Sequence, residues 1–204
     1  MAKNLLLILT RNPELGKCKT RLAAHVGDRA ALDIYGFLLG HTRAITQGLP
    51  MEKWVLYSEE IWEKDIWDPA IYHKKLQWGD DLGQRMENAF REGFLSGFGN
   101  IVIIGSDLYD LSQEDLETAF SLLEQHDHVV GPAEDGGYYL LGMKALKTEL
   151  FQGKVWSSET VLADTLADLE GKKVALLPKR NDVDHFEDIK DIGAFAPFLK
   201  HMDL

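Results

Sequence analysis

A three-layer α/β/α sandwich around a mainly parallel sheet is the fold class that this sequence predicts. Three observations lead there. Uninterrupted apolar runs at residues 5–9 and 101–104 suit strands covered on both faces, as inside a parallel sheet. Longer segments between such runs carry apolar residues three and four positions apart, the period of a helix with one buried face. Strand-like and helix-like segments alternate along the chain, the order that builds parallel strands with helices on both sides.

Taken in order, residues 4–9 form the first buried strand, closed by Thr10. The stretch from Arg11 to Leu22 contains Pro13 and Gly16, which mark a loop. A helix follows over residues 28–47, with Leu32, Tyr35, Leu39 and Thr42 along one face. Residues 54–57 and 71–77 are the second and third strands, and the tryptophans of the aromatic-rich segment 61–67 read as packing residues. Gly79-Asp80-Asp81 opens a helix whose apolar face is Leu82, Met86, Ala89 and Phe90; Asp81 and Gln84 have capping-box spacing. Beyond the strand at 101–104, Ser112 and Asp115 cap a helix bearing Leu116, Ala119, Phe120 and Leu123.

His126 and His128 stand two apart at the next turn, a poor metal signature, and read as surface residues. Strands at 129–132 and 138–143 flank Asp135-Gly136-Gly137, which a hairpin turn explains. A helix with Leu162, Leu166 and Leu169 takes Ser157 or Ser158 as its cap. Residues 173–177 form the last strand, and a short helix closes the chain.

Residues 1–204 carry no linker, repeat or low-complexity stretch, so one domain is expected, burying roughly 70% of its unfolded surface. A net charge of −11 argues against nucleic-acid partners, whose binding requires basic surface. The single cysteine, Cys18, cannot form an intrachain disulfide, which suits a reducing cytoplasm. The apolar run at residues 5–9 is too short for a signal-peptide core or a bilayer span, so no membrane insertion is expected.

The functional candidates gather where strands end, because ligands of open α/β sheets sit beyond the carboxyl ends of the strands. The central strand ends in Gly105-Ser106-Asp107; a turn or cap role competes with a ligand role for that acid. The loop after the first strand carries Arg11, Lys17, Lys19 and Arg21 against one acid, Glu14, and lies ahead of a helix, where phosphates commonly bind. It is not a Walker A loop: Arg11 stands where the first glycine belongs, and Cys18 replaces the hydroxyl residue after Lys17. No Gly-x-Gly-x-x-Gly follows the first strand, which disfavours a dinucleotide-binding domain. What remains is a loop that grips phosphate with side chains, Arg by bidentate contacts and Lys as a point charge.

The double glycine after Asp135 permits close approach of backbone to a ligand. Asp182 and Asp184 alternate, so an extended segment turns at most one of them to the site. Cations, a strand-end acid and a further acid are what chemistry on nucleotide phosphates requires. Mg²⁺ takes one or two carboxylates together with phosphate oxygens and water, and stabilises a leaving diphosphate or pyrophosphate.

Six motifs occur in order: Arg11-x-Pro13-x-x-Gly16-Lys17-x-Lys19-Thr20-Arg21-Leu22, Gly79-Asp80-Asp81-Leu82-Gly83-x-Arg85-Met86, Gly105-Ser106-Asp107, Gly131-Pro132-Ala133-x-Asp135-Gly136-Gly137-Tyr138-Tyr139-Leu140-x-Gly142, Trp156-Ser157 and Asp182-x-Asp184. Together they resemble a small bacterial family labelled glycosyltransferase-like or nucleotide-diphospho-sugar transferase, of GT-A fold. Its relatives include guanylyltransferases that act on molybdenum cofactor and on 2-phospho-L-lactate.

The resemblance spans nearly the whole chain. It implies that Arg11, Gly16, Lys17, Lys19, Arg21 and Ser106 face the nucleotide phosphates, and that Gln77 and Gly83 lie near the base. Asp135, Gly136 and Gly137 would lie by the sugar or acceptor. Asp107 would be the metal acid, with Asp184 as second ligand for Mg²⁺ or Mn²⁺, and Asp107, Asp135 and Lys19 the catalytic candidates. The chain departs from the family at Tyr109, where proline is usual, and in having one acid where many glycosyltransferases have Asp-x-Asp.

The function expected is a metal-dependent transferase using an activated nucleotide donor. Glycosyl transfer from a nucleotide sugar to a small-molecule acceptor stands ahead of nucleotidyl transfer from an NTP with release of pyrophosphate. The basic loop does not separate them, since both donors contain a pyrophosphate group. A non-catalytic nucleotide-binding module is the alternative of another class. An aspartyl phosphohydrolase would need an acid at the end of the first strand, where Thr10 and Arg11 stand. Asp135 and His185 are the candidates for a general base.

Overall fold

In the computed structural model, which describes residues 2–202, the chain forms seven strands. These are β1 (Asn4–Thr10), β2 (Glu52–Tyr57), β3 (His73–Leu76), β4 (Asn100–Gly105), β5 (His128–Pro132), β6 (Tyr138–Met143) and β7 (Val174–Leu176). They make one sheet in the order β3-β2-β1-β4-β6-β5-β7. Only β6 runs against the rest, pairing antiparallel with β4 and β5. The other neighbours are parallel, as the apolar runs predict.

Five helices cover the sheet: α1 (Thr20–Val26), α2 (Asp28–Thr46), α3 (Leu82–Leu95), α4 (Gln113–Leu123) and α5 (Val161–Asp168). Because side chains alternate along a strand, each buried strand supplies both cores. Leu6, Ile8, Val102 and Ile104 pack under Tyr35 and Leu39 of α2 and Leu116 and Phe120 of α4. Leu5, Leu7, Ile101 and Ile103 pack on the other side against Met86, Ala89 and Phe90 of α3. Each fully buried aliphatic side chain contributes about 1.5–3 kcal/mol. The three layers follow directly from strands apolar on both faces. A third cluster joins Leu22, Ile34 and Leu38 to Ile189 and Phe195, tying the carboxyl-terminal segment to α1 and α2.

Several local features differ from the sequence expectation. The basic loop ends earlier than Leu22, because α1 begins at Thr20; Leu22 and Val26, four apart, are its buried stripe. The Asp81 carboxylate caps α3 by accepting from the Gln84 N–H at 2.8 Å, but Gln84 returns its bond to the Asp80 N–H rather than that of Asp81. Leu82, expected on the apolar face, is 43% exposed. Ser112 and Asp115 form the expected capping box of α4. Neither Ser157 nor Ser158 caps α5: the N-cap is Thr160, and the Ser158 hydroxyl donates to the Val155 carbonyl instead.

His128 is not a surface residue. It is the first residue of β5 and is buried, and burial pushes its imidazole below the ordinary histidine value. The closing helix is a pair of short 3₁₀ segments, Phe186–Asp188 and Gly193–Phe198. Tyr109 packs on Phe37 and Phe195, with ring centroids 5.7 and 5.0 Å away. Among the described residues, no helix is long and apolar enough to cross a membrane.

Candidate functional site

From β1 the chain crosses to β2 on one side, while β4 lies on β1's other flank, so a crevice opens at the carboxyl ends of β1 and β4. There lies a cleft of about 710 Å³. The pairing of Leu9 with Gly105 sets the ends of the two strands level. A buried hydroxyl cluster knits them: Tyr35 Oη lies 3.3 Å from Thr10 Oγ1 and 3.2 Å from Ser106 Oγ, and accepts from the Arg11 N–H at 2.9 Å.

The loop after β1 is held by Asn12, which is buried. Its side-chain nitrogen donates to the Glu60 carbonyl at 2.9 Å, and its oxygen accepts from the Glu59 N–H at 3.2 Å. Cys18 Sγ closes the loop on the Asn12 carbonyl. With its base fixed, the loop carries its cations to the cleft.

Lys19 has the most constrained position. Its side chain is 5% exposed, and Nζ lies 2.6 Å from Asp107 Oδ2 and 2.9 Å from Asp184 Oδ1. Arg21 contacts the other Asp184 oxygen at 3.1 Å. Burial works to lower the Lys19 pKa, but the two carboxylates outweigh it and hold the ammonium above the ordinary lysine value. Burial likewise opposes ionisation of Asp184, yet Lys19 and Arg21 hold its carboxyl below the ordinary range. Lys17 is more loosely placed, 2.8 Å from Glu14 and 3.3 Å from Glu59.

Asp182 and Asp184 both line the cleft, against the expectation that alternation would turn one away. The segment is not an extended strand. Asp188 accepts from the backbone N–H groups of Asp184 and His185 and bends the chain there. Burial, with Asp135 and Asp184 nearby, pushes the Asp182 carboxyl up to about 6.

Arg11, Lys17, Lys19, Arg21, Gln77, Ser106, Asp107, Asp135, Gly137 and Asp184 therefore line one cleft. Some already have protein partners. Gln77 donates to the carbonyls of Thr10 and Leu56, and the Ser106 hydroxyl donates to the Thr10 hydroxyl. Gly16, Gly83 and Gly136 lie outside the lining. At Gly83 a Cβ would fall 2.6 Å from the Trp156 ring, and at Gly136, where φ is +90°, 2.2 Å from the Glu159 carbonyl oxygen. Their close approaches are to the protein itself, and they shape the cleft from behind. His185 is also outside the lining, whereas Asp135, with one oxygen accepting from the Gly137 N–H at 2.8 Å, is inside it.

Tyr35, Asp182, Tyr138 and Trp156 are cleft residues that the site reading passed over. Tyr35 reads in sequence only as part of a helix face, and Trp156 only as part of a motif. Lys19 and Ser157 are the two described non-glycine residues with positive φ, and both line the cleft. Strain of this kind concentrates at functional sites.

Asp107 and Asp184 flank one cation position with hard carboxylate oxygens, a donor set that suits Mg²⁺ or Mn²⁺ when phosphate oxygens and water complete the shell. Among the described residues, no group of three or more His, Cys, Asp or Glu could hold a metal by itself.

The family described as uncharacterized protein conserved in bacteria (DUF2064) matches residues 44–158. No curated protein matches the chain. Among solved structures, a protein of Desulfovibrio desulfuricans G20 assigned as a nucleotide-diphospho-sugar transferase is 30% identical, with a TM-score of 0.82, over 91% of this chain and 84% of that one. A cytidylyltransferase from Leptospira borgpetersenii serovar Hardjo-bovis shares the fold at 18% identity and a TM-score of 0.57, over 92% of this chain and 84% of that one. So does a Mycobacterium tuberculosis H37Rv protein solved with manganese, at 11% identity and a TM-score of 0.56, over 97% and 98%.

Proposed function

From the premise that this chain belongs to the bacterial family DUF2064, we propose that it is a metal-dependent transferase moving a glycosyl group from a nucleotide sugar to a small-molecule acceptor. One observation carries the reading. A single cation position lies between Asp107 and Asp184 at the sheet's switch point, with Arg11, Lys17 and Arg21 lining the same cleft. The similarity to a nucleotide-diphospho-sugar transferase supports the choice of donor. The structure with manganese, a fold neighbour, supports a divalent ion.

In this reading the arginines clasp the diphosphate bidentately and the lysines act as point charges. Asp107 and Asp184 would hold Mg²⁺ or Mn²⁺, which when bound would supply charge stabilisation for the leaving diphosphate. Asp135 takes the proton of the acceptor hydroxyl, using the oxygen that is not tied to Gly137. The acceptor O–H bond breaks, its oxygen bonds to the anomeric carbon, and the nucleoside diphosphate departs with the electron pair of the old C–O bond. Leu82, Met86, Tyr138 and Trp156 line the cleft with apolar surface that limits water.

A thermal-shift panel of nucleotide sugars and NTPs, with and without Mg²⁺ or Mn²⁺, tests the reading. A preferred donor stabilises the fold by RT ln(1 + [L]/Kd). Turnover of that donor should release a nucleoside diphosphate. Release of pyrophosphate from an NTP would instead mark nucleotidyl transfer, a reading favoured by the shared fold of the Leptospira cytidylyltransferase. Binding with no turnover across an acceptor panel would point to a binding module.

A further inference from the structure

The Lys19 ammonium stands where a divalent ion bridging Asp107 and Asp184 would stand. Its polar contacts are those two carboxylates, and its side chain is 5% exposed. Its backbone is left-handed, at φ 49°, a conformation unfavourable for a residue with a Cβ. Directly behind it, α1 is anchored by buried Leu22 and Val26. Lys19 is therefore built into this position and does not simply drift there as a surface lysine would.

Resting on the assignment of Asp107 and Asp184 as metal acids, we propose that Lys19 is an internal stand-in for the metal, so that nucleotide and divalent ion enter the site together. Without nucleotide, a divalent ion must lodge beside an ammonium already paired with the same two carboxylates, and like charges at contact distance repel. The donor's phosphates bring new anionic oxygens to the cleft. Lys19 and Arg21 shift to phosphate oxygens, and both carboxylates are freed to hold a divalent ion. No covalent bond changes, and each negative group keeps a positive partner throughout. The coupling is reciprocal: the factor by which nucleotide tightens metal binding equals the factor by which metal tightens nucleotide binding. Lys19 sets the size of that factor.

The test is Mn²⁺ binding without nucleotide, followed by the electron paramagnetic resonance signal of the free ion. Lys19→Met should bind Mn²⁺ about tenfold or more tightly than the wild type. Lys19→Arg, which keeps a cation, should bind as weakly as the wild type, and adding Asp107→Asn to Lys19→Met should abolish the gain. Lys19→Gln is a second neutral variant, and circular dichroism checks the fold of each. Equal Mn²⁺ affinity in the wild type and both neutral variants overturns the stand-in role.

A parallel arm measures the Mn²⁺-dependent thermal shift with UDP, CDP and GDP in the wild type and in Asp107→Asn. A shift that needs Asp107, found together with equal free-ion affinities, removes the stand-in alone and leaves the metal acids standing. Absence of any Mn²⁺-dependent shift removes both.

Discussion

The cationic and anionic walls of the cleft are built in opposite ways. Four of the five lining cations, Arg11, Lys17, Lys19 and Arg21, come from one short stretch between β1 and the first turn of α1; the fifth, Arg85, is on α3 and donates to the Gly79 carbonyl. The acids come from four places: Asp80 and Asp81 ahead of α3, Asp107 after β4, Asp135 in the β5–β6 hairpin, and Asp182 and Asp184 beyond β7. The contact from Lys19 to Asp184 spans 165 residues. A wall made by one loop needs only that loop to be held, here by Asn12. A wall assembled across the topology needs every contributing segment anchored. Arg180 does this for the carboxyl-terminal acids: it bridges to Ala133 through the backbone and pairs with Asp115 of α4 at 2.8 Å.

The contrast can be broken most sharply at the assembled wall. Asp107→Asn should lower turnover by about 10²–10³-fold, the usual cost of losing a group that stabilises leaving-group charge. Steady-state kinetics with the donor found by thermal shift would measure it. An activity within a few-fold of wild type would remove Asp107 from the machinery.

Next comes the anchor. Asp115→Ala strips Arg180 of its partner and α4 of its capping box, and should lower stability by about 3 kcal/mol in urea titration. Burial raises the Asp115 pKa, but Arg180 and Ser112 outweigh it and hold the carboxyl below the ordinary 3.8. Its contribution is therefore complete above that value and is lost as pH falls through the lower folded pKa, so the variant should lack this part of the wild type's acid loss.

Asp182 has the opposite sign. Its folded pKa of about 6 lies above the ordinary 3.8, so the native state holds the extra proton and stability falls as pH rises between the two. Asp182→Asn should flatten that decline and gain about 1–2 kcal/mol at neutral pH, read from urea midpoints at pH 4 and 7.5. The smallest effect is expected from the loop wall. Lys17→Ala breaks only exposed pairs with Glu14 and Glu59, and should leave the melting temperature unchanged while weakening donor binding by no more than about threefold.

The same contrast explains what could be read before the fold was seen. Residues 5–9 and 101–104 have nearly no polar positions, and such runs belong inside parallel sheets, so the three layers were legible. The basic loop was legible because its four cations are neighbours in an acidic chain. The pairing of Asp107 with Asp184 depended on a whole-chain resemblance, since no spacing rule connects positions so far apart. Asp182 was misread because alternation holds only in an extended segment, and the Asp188 carboxylate bends this one. His128 was misread because, coming directly after His126 and Asp127, it resembles part of a turn, although β5 starts there and carries it into the interior. Gly136 was read as making room for a ligand, and Gly83 was placed near the base by the resemblance. The room goes to Trp156 and to the Glu159 backbone, a distinction that no local pattern carries.

The contact between Gly83 and Trp156 has a practical consequence. Of the five tryptophans, Trp156 alone lines the cleft. Its indole rests against the start of α3 with no side chain between them. The protein therefore carries its own fluorophore in the wall of the site. A donor that fills the cleft alters the polarity around that ring, and emission reports occupancy without a label; Trp156→Phe supplies the dark control against which the signal is read.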